Sequence, residues 1–196
     1  MKSSCWLVLA LLAISVATAA EAGTYGERKK GSKGRYLEVA DGVRLTDFRG
    51  ALVILEPAEI VSDRDRPVDT ESVRNTSDDS LREHLASTGL FGQIVSAAPL
   101  ELPADLAMVR ITTKLTLQHG SQAMRFWAGG GAGKSKLHIR IVLADARSGN
   151  RLGEFNGYGT GTGIWSMSGG GVQRMARDDL EESYTKLGEY LVQAAR

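Results

Sequence analysis

Two runs in the middle of the chain alternate apolar and polar side chains residue by residue. In 106–118, Ala107, Val109, Ile111, Thr113, Leu115 and Leu117 alternate with Met108, Arg110, Thr112, Lys114, Thr116 and Gln118. In 136–145, Leu137, Ile139, Ile141 and Leu143 alternate with Lys136, His138, Arg140 and Val142. Successive side chains of a strand point to opposite faces, so this period requires two strands with one buried face. Asp145-Ala146-Arg147-Ser148-Gly149-Asn150 has the composition of a turn, and a third strand, Arg151 to about Tyr158, leaves it. Three sequential strands of this kind predict an antiparallel meander.

The flanking sequence supplies the other elements. Ala51-Leu52-Val53-Ile54-Leu55 reads as a buried strand, ended by Pro57 and the charged run at 62–72. Ser77 or Asp78 is expected to cap a helix that presents Leu81 and Leu85 and stops at Gly89. Residues 90–95 form a second strand. From about Val172, the residues Val172, Ala176, Leu180, Tyr184, Leu187, Leu191 and Ala194 recur at spacings of three and four, the apolar stripe of an amphipathic helix. The expected fold is a two-layer α/β sandwich: a mixed five-stranded sheet with an antiparallel meander and two helices on one face. It occupies 50–196 as a single domain, preceded by a flexible basic arm over 23–49.

Residues 1–22 read as a cleavable secretory signal. Lys2 precedes the apolar run Cys5 to Ile14, and small residues follow, with Ala-x-Ala sites ending at Ala19 and Ala22. The run is too short to span a bilayer, so no transmembrane segment is expected after cleavage, and the expected location is periplasmic or secreted. The one cysteine, Cys5, lies inside the signal, so the processed chain has no disulfide, thiol nucleophile or lipid-bearing cysteine. A formal net charge of +1 gives no reason to expect a nucleic-acid partner.

Motifs that resemble chemistry lack the context that chemistry needs. Ala128 to Ser135 has the outline of a phosphate-binding loop, but a strand follows Lys134 where a helix N-terminus is required. His84, His119 and His138 fall on a helix, a loop and a strand without metal-ligand spacing. No Gly-x-Ser-x-Gly elbow occurs. The acidic neighbours Asp178 and Asp179, and Glu181 and Glu182, are expected on the solvent side of the last helix. The chain is therefore expected to be no enzyme, with no catalytic, cofactor-binding or metal-binding residues and no cofactor.

Two features remain. The polar face of the meander gathers Arg110, Lys114, Lys136, His138 and Arg140. Like charges facing across strands repel, so acidic groups of this chain, Glu154 among them, or an external anion must offset them. The second feature is a pair of Gly-rich segments, the loop 119–135 with Trp127 and the linker 157–171 with Trp165. In an antiparallel meander both leave the same end of the sheet. The two indoles are thus expected at one pole, as a contact surface or as plugs over the end of the core.

The stretch from Ala104-Asp105, through the alternating strands, Arg125 and Asp145-Ala146-Arg147-Ser148-Gly149, to the Gly-rich residues before the last helix resembles the bacterial domain-of-unknown-function family 4410 over about 50–195. The element order is also similar to small periplasmic domains such as the N-terminal domain of the translocation protein TolB. The resemblance implies an exported protein and carries over no functional residue. The reading that follows is a non-catalytic binding or assembly module of the cell envelope, its partner another envelope protein or a second copy. The alternative is a periplasmic carrier or sensor of an anionic ligand on the basic sheet face.

Overall fold

A computed structural model describes residues 23–29, 33–62, 69–98, 105–118, 135–161 and 170–196. The strands are β1 (Thr24–Lys29), β2 (Lys33–Val39), β3 (Leu52–Leu55), β4 (Glu59–Ser62), β5 (Gln93–Val95), β6 (Met108–Gln118), β7 (Ser135–Asp145) and β8 (Arg151–Gly161). The helices are α1 (Thr70–Ser87) and α2 (Gly170–Ala194). All the strands join one mixed sheet of order β1-β2-β8-β7-β6-β3-β5, with β4 alongside β6 beyond β3. The α/β class and the meander β6-β7-β8 are as expected; the sheet, with eight strands, is larger than the five read from sequence.

The alternation in β6 and β7 becomes a two-faced surface. Val109, Ile111, Leu115 and Leu117 of β6 and Leu137, Ile139, Ile141 and Leu143 of β7 are buried in one apolar cluster with Leu81 and Leu85 of α1 and Leu180, Tyr184, Leu187 and Leu191 of α2. Both helices therefore pack on the same face. The apolar stripe of α2 runs on to Ala195, fully buried just past the helix end, and the side chains of Val172 and Ala176 lie outside the described residues.

Three expectations need correction. The first is the flexible basic arm at 23–49. Residues 24–29 and 33–39 instead pair as an antiparallel hairpin that adds to β8. Leu37 and Val39 are buried, and Tyr25, opposite Leu37, packs against the core. The basic side chains hide this pattern in the sequence. Arg35 donates to both oxygens of Glu182 on α2 at 2.8 and 2.9 Å and to Ser183 Oγ at 3.1 Å, tying the hairpin to the helix.

The second correction is the start of α1, at Thr70 rather than near Ser77. Asp69 is the cap, its carboxylate accepting from the Ser72 N–H at 3.0 Å. The third is the run of acidic residues on α2. Asp179 is half-buried against Gly159 rather than on the solvent side, and burial raises its carboxyl above the usual range.

The residues between β3 and β4 are bulged. Three residues, 56–58, lie opposite Thr112 and Thr113, and Pro57 has no N–H to leave unpaired. Side chains of α1 cover this edge. Asp78 accepts from the Ala58 N–H, Arg74 donates to the Ala58 carbonyl, and Arg82 donates to the Ile94 carbonyl of β5.

The two helices also share a polar contact inside the core. Ser77 Oγ and Tyr184 Oη lie 2.6 Å apart, both residues fully buried. Burial holds the Tyr184 phenol far above its ordinary titration range. Replacing one partner leaves the other polar atom desolvated and unpaired. Tyr184→Phe or Ser77→Ala alone should lower unfolding free energy by about 1–3 kcal/mol, and the double variant should cost less than the sum. Urea unfolding of the three variants measures this.

Candidate functional site

The five residues of the expected basic face do lie on one sheet surface, opposite the helices. Within the β6–β7 register, Lys114 stands opposite Arg140, and Lys136 opposite Gln118. The counter-charges are internal. Arg110 meets Glu56 at 3.4 Å, and Lys114 meets Glu59 at 2.8 Å. Arg140 donates to both oxygens of Glu154 at 2.9 and 2.8 Å. Glu154 is the acidic residue singled out from sequence; it also takes Arg151 at 3.1 Å and Asn156 at 3.2 Å. The hydrogen bond from Arg140 holds the Glu154 carboxyl below the usual carboxylate range, against a smaller opposing effect of burial.

His138 packs edge-on against Tyr158, ring centroids 4.7 Å apart, and burial followed by the Lys136 charge lowers its titration. Among the described residues no carboxylate pairs with Lys136.

The strand ends place only the boundaries of the two segments that make up the second feature. Gln118, the last residue of β6, is opposite Lys136, and Ser135, the first of β7, is opposite Gly161, the last of β8. The residues that bound 119–134 and 162–169 are therefore neighbours at one end of the sheet. Trp127 and Trp165 themselves lie outside the described residues, as does His119. The expected linker is shorter than 157–171, because β8 continues to Gly161. Gly157 and Gly159 lie within the strand, on its helix-facing side. A Cβ on Gly157 would press on Ser183 Oγ at 3.2 Å, and one on Gly159 would collide with Asp179. These glycines seat α2; they are not loop residues.

The crossing of α1 and α2 holds groups that the sequence did not bring together. His84 Nε2 and Glu181 Oε2 are 3.0 Å apart, and the contact to His84 keeps the Glu181 carboxyl below its ordinary range. His84 also borders a shallow cleft of about 550 Å³ lined by Ser87, Thr88, Thr185, Gly188 and Glu189 among others. Among the described residues, no group of three or more His, Cys, Asp or Glu could hold a metal ion, and no helix is long and apolar enough to cross a membrane.

The family model for a domain of unknown function, DUF4410, matches residues 55–163, from the end of β3 through the meander. The chain belongs to this family. No curated protein matches the DUF4410 chain in sequence. Three solved structures are similar at low level. The PelC dodecamer from Paraburkholderia phytofirmans has 14% identity and a TM-score of 0.44, with 70% of this chain and 89% of that one covered. A PDZ domain protein from Parabacteroides distasonis has 10% identity and a TM-score of 0.47, covering 86% and 37%. The rare lipoprotein B from Shewanella oneidensis has 14% identity and a TM-score of 0.35, covering 72% and 91%. At this level none of the three says what the DUF4410 chain does.

The Glu154 network gives a pH prediction. A carboxyl titrating lower in the folded than in the unfolded chain contributes stability above its unfolded pKa and loses it as pH falls through the folded value. Glu154→Gln should therefore lower the melting temperature at neutral pH and flatten its decline below about pH 4, near the ordinary glutamate range. Melting curves of both proteins across the acid range check this.

Proposed function

We propose that this chain is an exported envelope protein that works as a non-catalytic binding or assembly module, and that its contact surface is the end of the sheet carrying Trp127 and Trp165. The observation behind it is the strand register, which brings the boundaries of 119–134 and 162–169 side by side. The composition of those segments supports the reading. Neither contains Asp or Glu, and between them they carry Met124, Phe126, Trp127, Ile164, Trp165 and Met167 with Arg125 and Lys134. Large apolar groups interleaved with glycine and positive charge suit an interface better than a solvated loop. The partner is another envelope protein or a second copy. The signal-like segment 1–22 supports export to a periplasmic or secreted location. The alternative, an anionic-ligand carrier on the sheet face, loses ground because Arg110, Lys114 and Arg140 already have carboxylate partners.

Trp127→Ala and Trp165→Ala separate a contact surface from a plug. On this reading each variant weakens association with itself or with envelope components and leaves the melting temperature nearly unchanged, because aromatic anchors carry much of an interface's energy. A plug would instead cost roughly 3–5 kcal/mol of stability, as other large-to-small core changes do. Sedimentation and thermal melting on the same samples distinguish the two outcomes, and a large loss of stability with unchanged association contradicts the proposal.

A further inference from the structure

We propose that Arg35 is the moving part of an acidity-sensitive latch: it ties the N-terminal hairpin to Glu182 while Asp179 is protonated, and passes to Asp179 when that carboxyl ionises. The latch uses no residue of 119–134 or 162–169, so this inference and the proposed contact surface can fail separately.

Asp179, Glu182 and Ser183 are spaced three and four residues apart on α2 and so share one face of the helix. That face meets β2 and β8. Arg35 is committed to the two later positions: Nη1 and Nη2 donate to the two Glu182 oxygens, and Nε donates to Ser183 Oγ. Asp179 stands one turn back. Its Oδ2 is buried and, among the described residues, has no hydrogen-bond partner. The strand beneath offers no side chain, because the neighbour on β8 is Gly159, where a Cβ would collide with Asp179. A buried carboxylate oxygen left unbonded is costly, so this group must either stay neutral or acquire a cation.

The cation acting on it is Arg35. Burial raises the Asp179 carboxyl above its ordinary range; the Arg35 charge on β2 opposes this, and the charges of Glu182 and Asp178 on α2 add to it. Gly159 of β8 contributes none. A guanidinium presents a planar fork that serves one carboxylate bidentately at a time, so Asp179 and Glu182 compete for it.

The two competitors are unequal. The Glu182 side chain is 58% exposed, and an ion pair there contributes little because water replaces it readily. Arg35, at 19% exposed, is the buried member of that pair. Asp179 is half-buried, and ionising it there without a partner costs more than returning Glu182 to water. Glu182 therefore holds Arg35 while Asp179 carries its proton, and Asp179 takes it afterwards. The direction in pH follows. A carboxyl whose folded pKa lies above its unfolded one supports the fold fully below the unfolded value, about pH 4 for aspartate, and withdraws that support as pH rises through the folded value. The transfer of Arg35 falls within that rise and limits the loss. The hairpin stays attached to α2 on both sides of it, but by a different turn of the helix.

The test is an NMR pH titration of the purified protein. The Asp179 carboxyl carbon reports its own ionisation, and Overhauser contacts from the Arg35 side chain report which carboxylate it faces. On the acid side of the Asp179 midpoint, Arg35 should contact the Glu182 γ protons; on the alkaline side it should contact the Asp179 β protons instead. That comparison needs no variant. Asp179→Asn should hold Arg35 on Glu182 at every pH at which Glu182 is ionised. Glu182→Gln, which frees Arg35, should move the Asp179 midpoint to lower pH. Arg35 contacts that stay with Glu182 across the Asp179 titration overturn the proposal. So does the same transfer in Asp179→Asn, an Asp179 that ionises at or below the ordinary aspartate range, or a midpoint that Glu182→Gln leaves unmoved.

Discussion

The antiparallel ladder between β6 and β7, running from Val109 opposite Asp145 to Gln118 opposite Lys136, is the constraint on which the other elements depend. A slip of one residue would turn Ile111, Leu115, Ile139 and Ile141 to the solvent face and Arg110, Lys114 and Arg140 into the core. The hydrophobic pattern therefore fixes the register. The turn after β7 reinforces it: Asp145 accepts from the N–H groups of Arg147 and Ser148, and chiefly the Ser148 N–H holds its carboxyl below the usual range. With that ladder set, β8 adds to β7, the hairpin adds to β8, and β3 and β4 add in parallel to the free side of β6.

The second requirement is a seat for α2. The helix-facing side of β8 reads Gly153, Phe155, Gly157, Gly159, so the strand offers one large ring among positions without side chains. Ser183 and Asp179 occupy the space over Gly157 and Gly159. Close approach there brings Glu182 within reach of Arg35, and it brings Tyr184 to Ser77. Seating one helix thus joins the N-terminal hairpin and α1 to the meander. Glycine in a strand weakens it locally; here that cost is offset by the packing of a long helix.

Much of this was legible in the sequence where a residue's own neighbours carry the signal. Period-two alternation gave the meander, and three- and four-residue spacing gave the face of α2. What stayed hidden depends on partners far along the chain. The hairpin at 24–39 has few apolar residues and the composition of a solvated arm; the partner that holds Arg35, Glu182 on α2, lies far along the chain. Gly157 and Gly159 have the composition of a loop, and only the helix above them explains their place in a strand. The cations of the sheet face were found by alternation. Of their counter-charges, Glu154 was close enough in sequence to single out; Glu56 and Glu59 were not, because β3 and β4 reach β6 only through the crossover.

The central claim is that the sheet end defined by Gln118, Lys136, Ser135 and Gly161 is where this protein meets its partner. Photocrosslinking residues placed at Trp127 and Trp165, with a control at exposed Glu71 on α1, address it most directly in intact cell envelopes. The account predicts a defined crosslinked species from positions 127 and 165 and none from 71. Adducts of equal yield from all three positions, or none from 127 and 165, would contradict it.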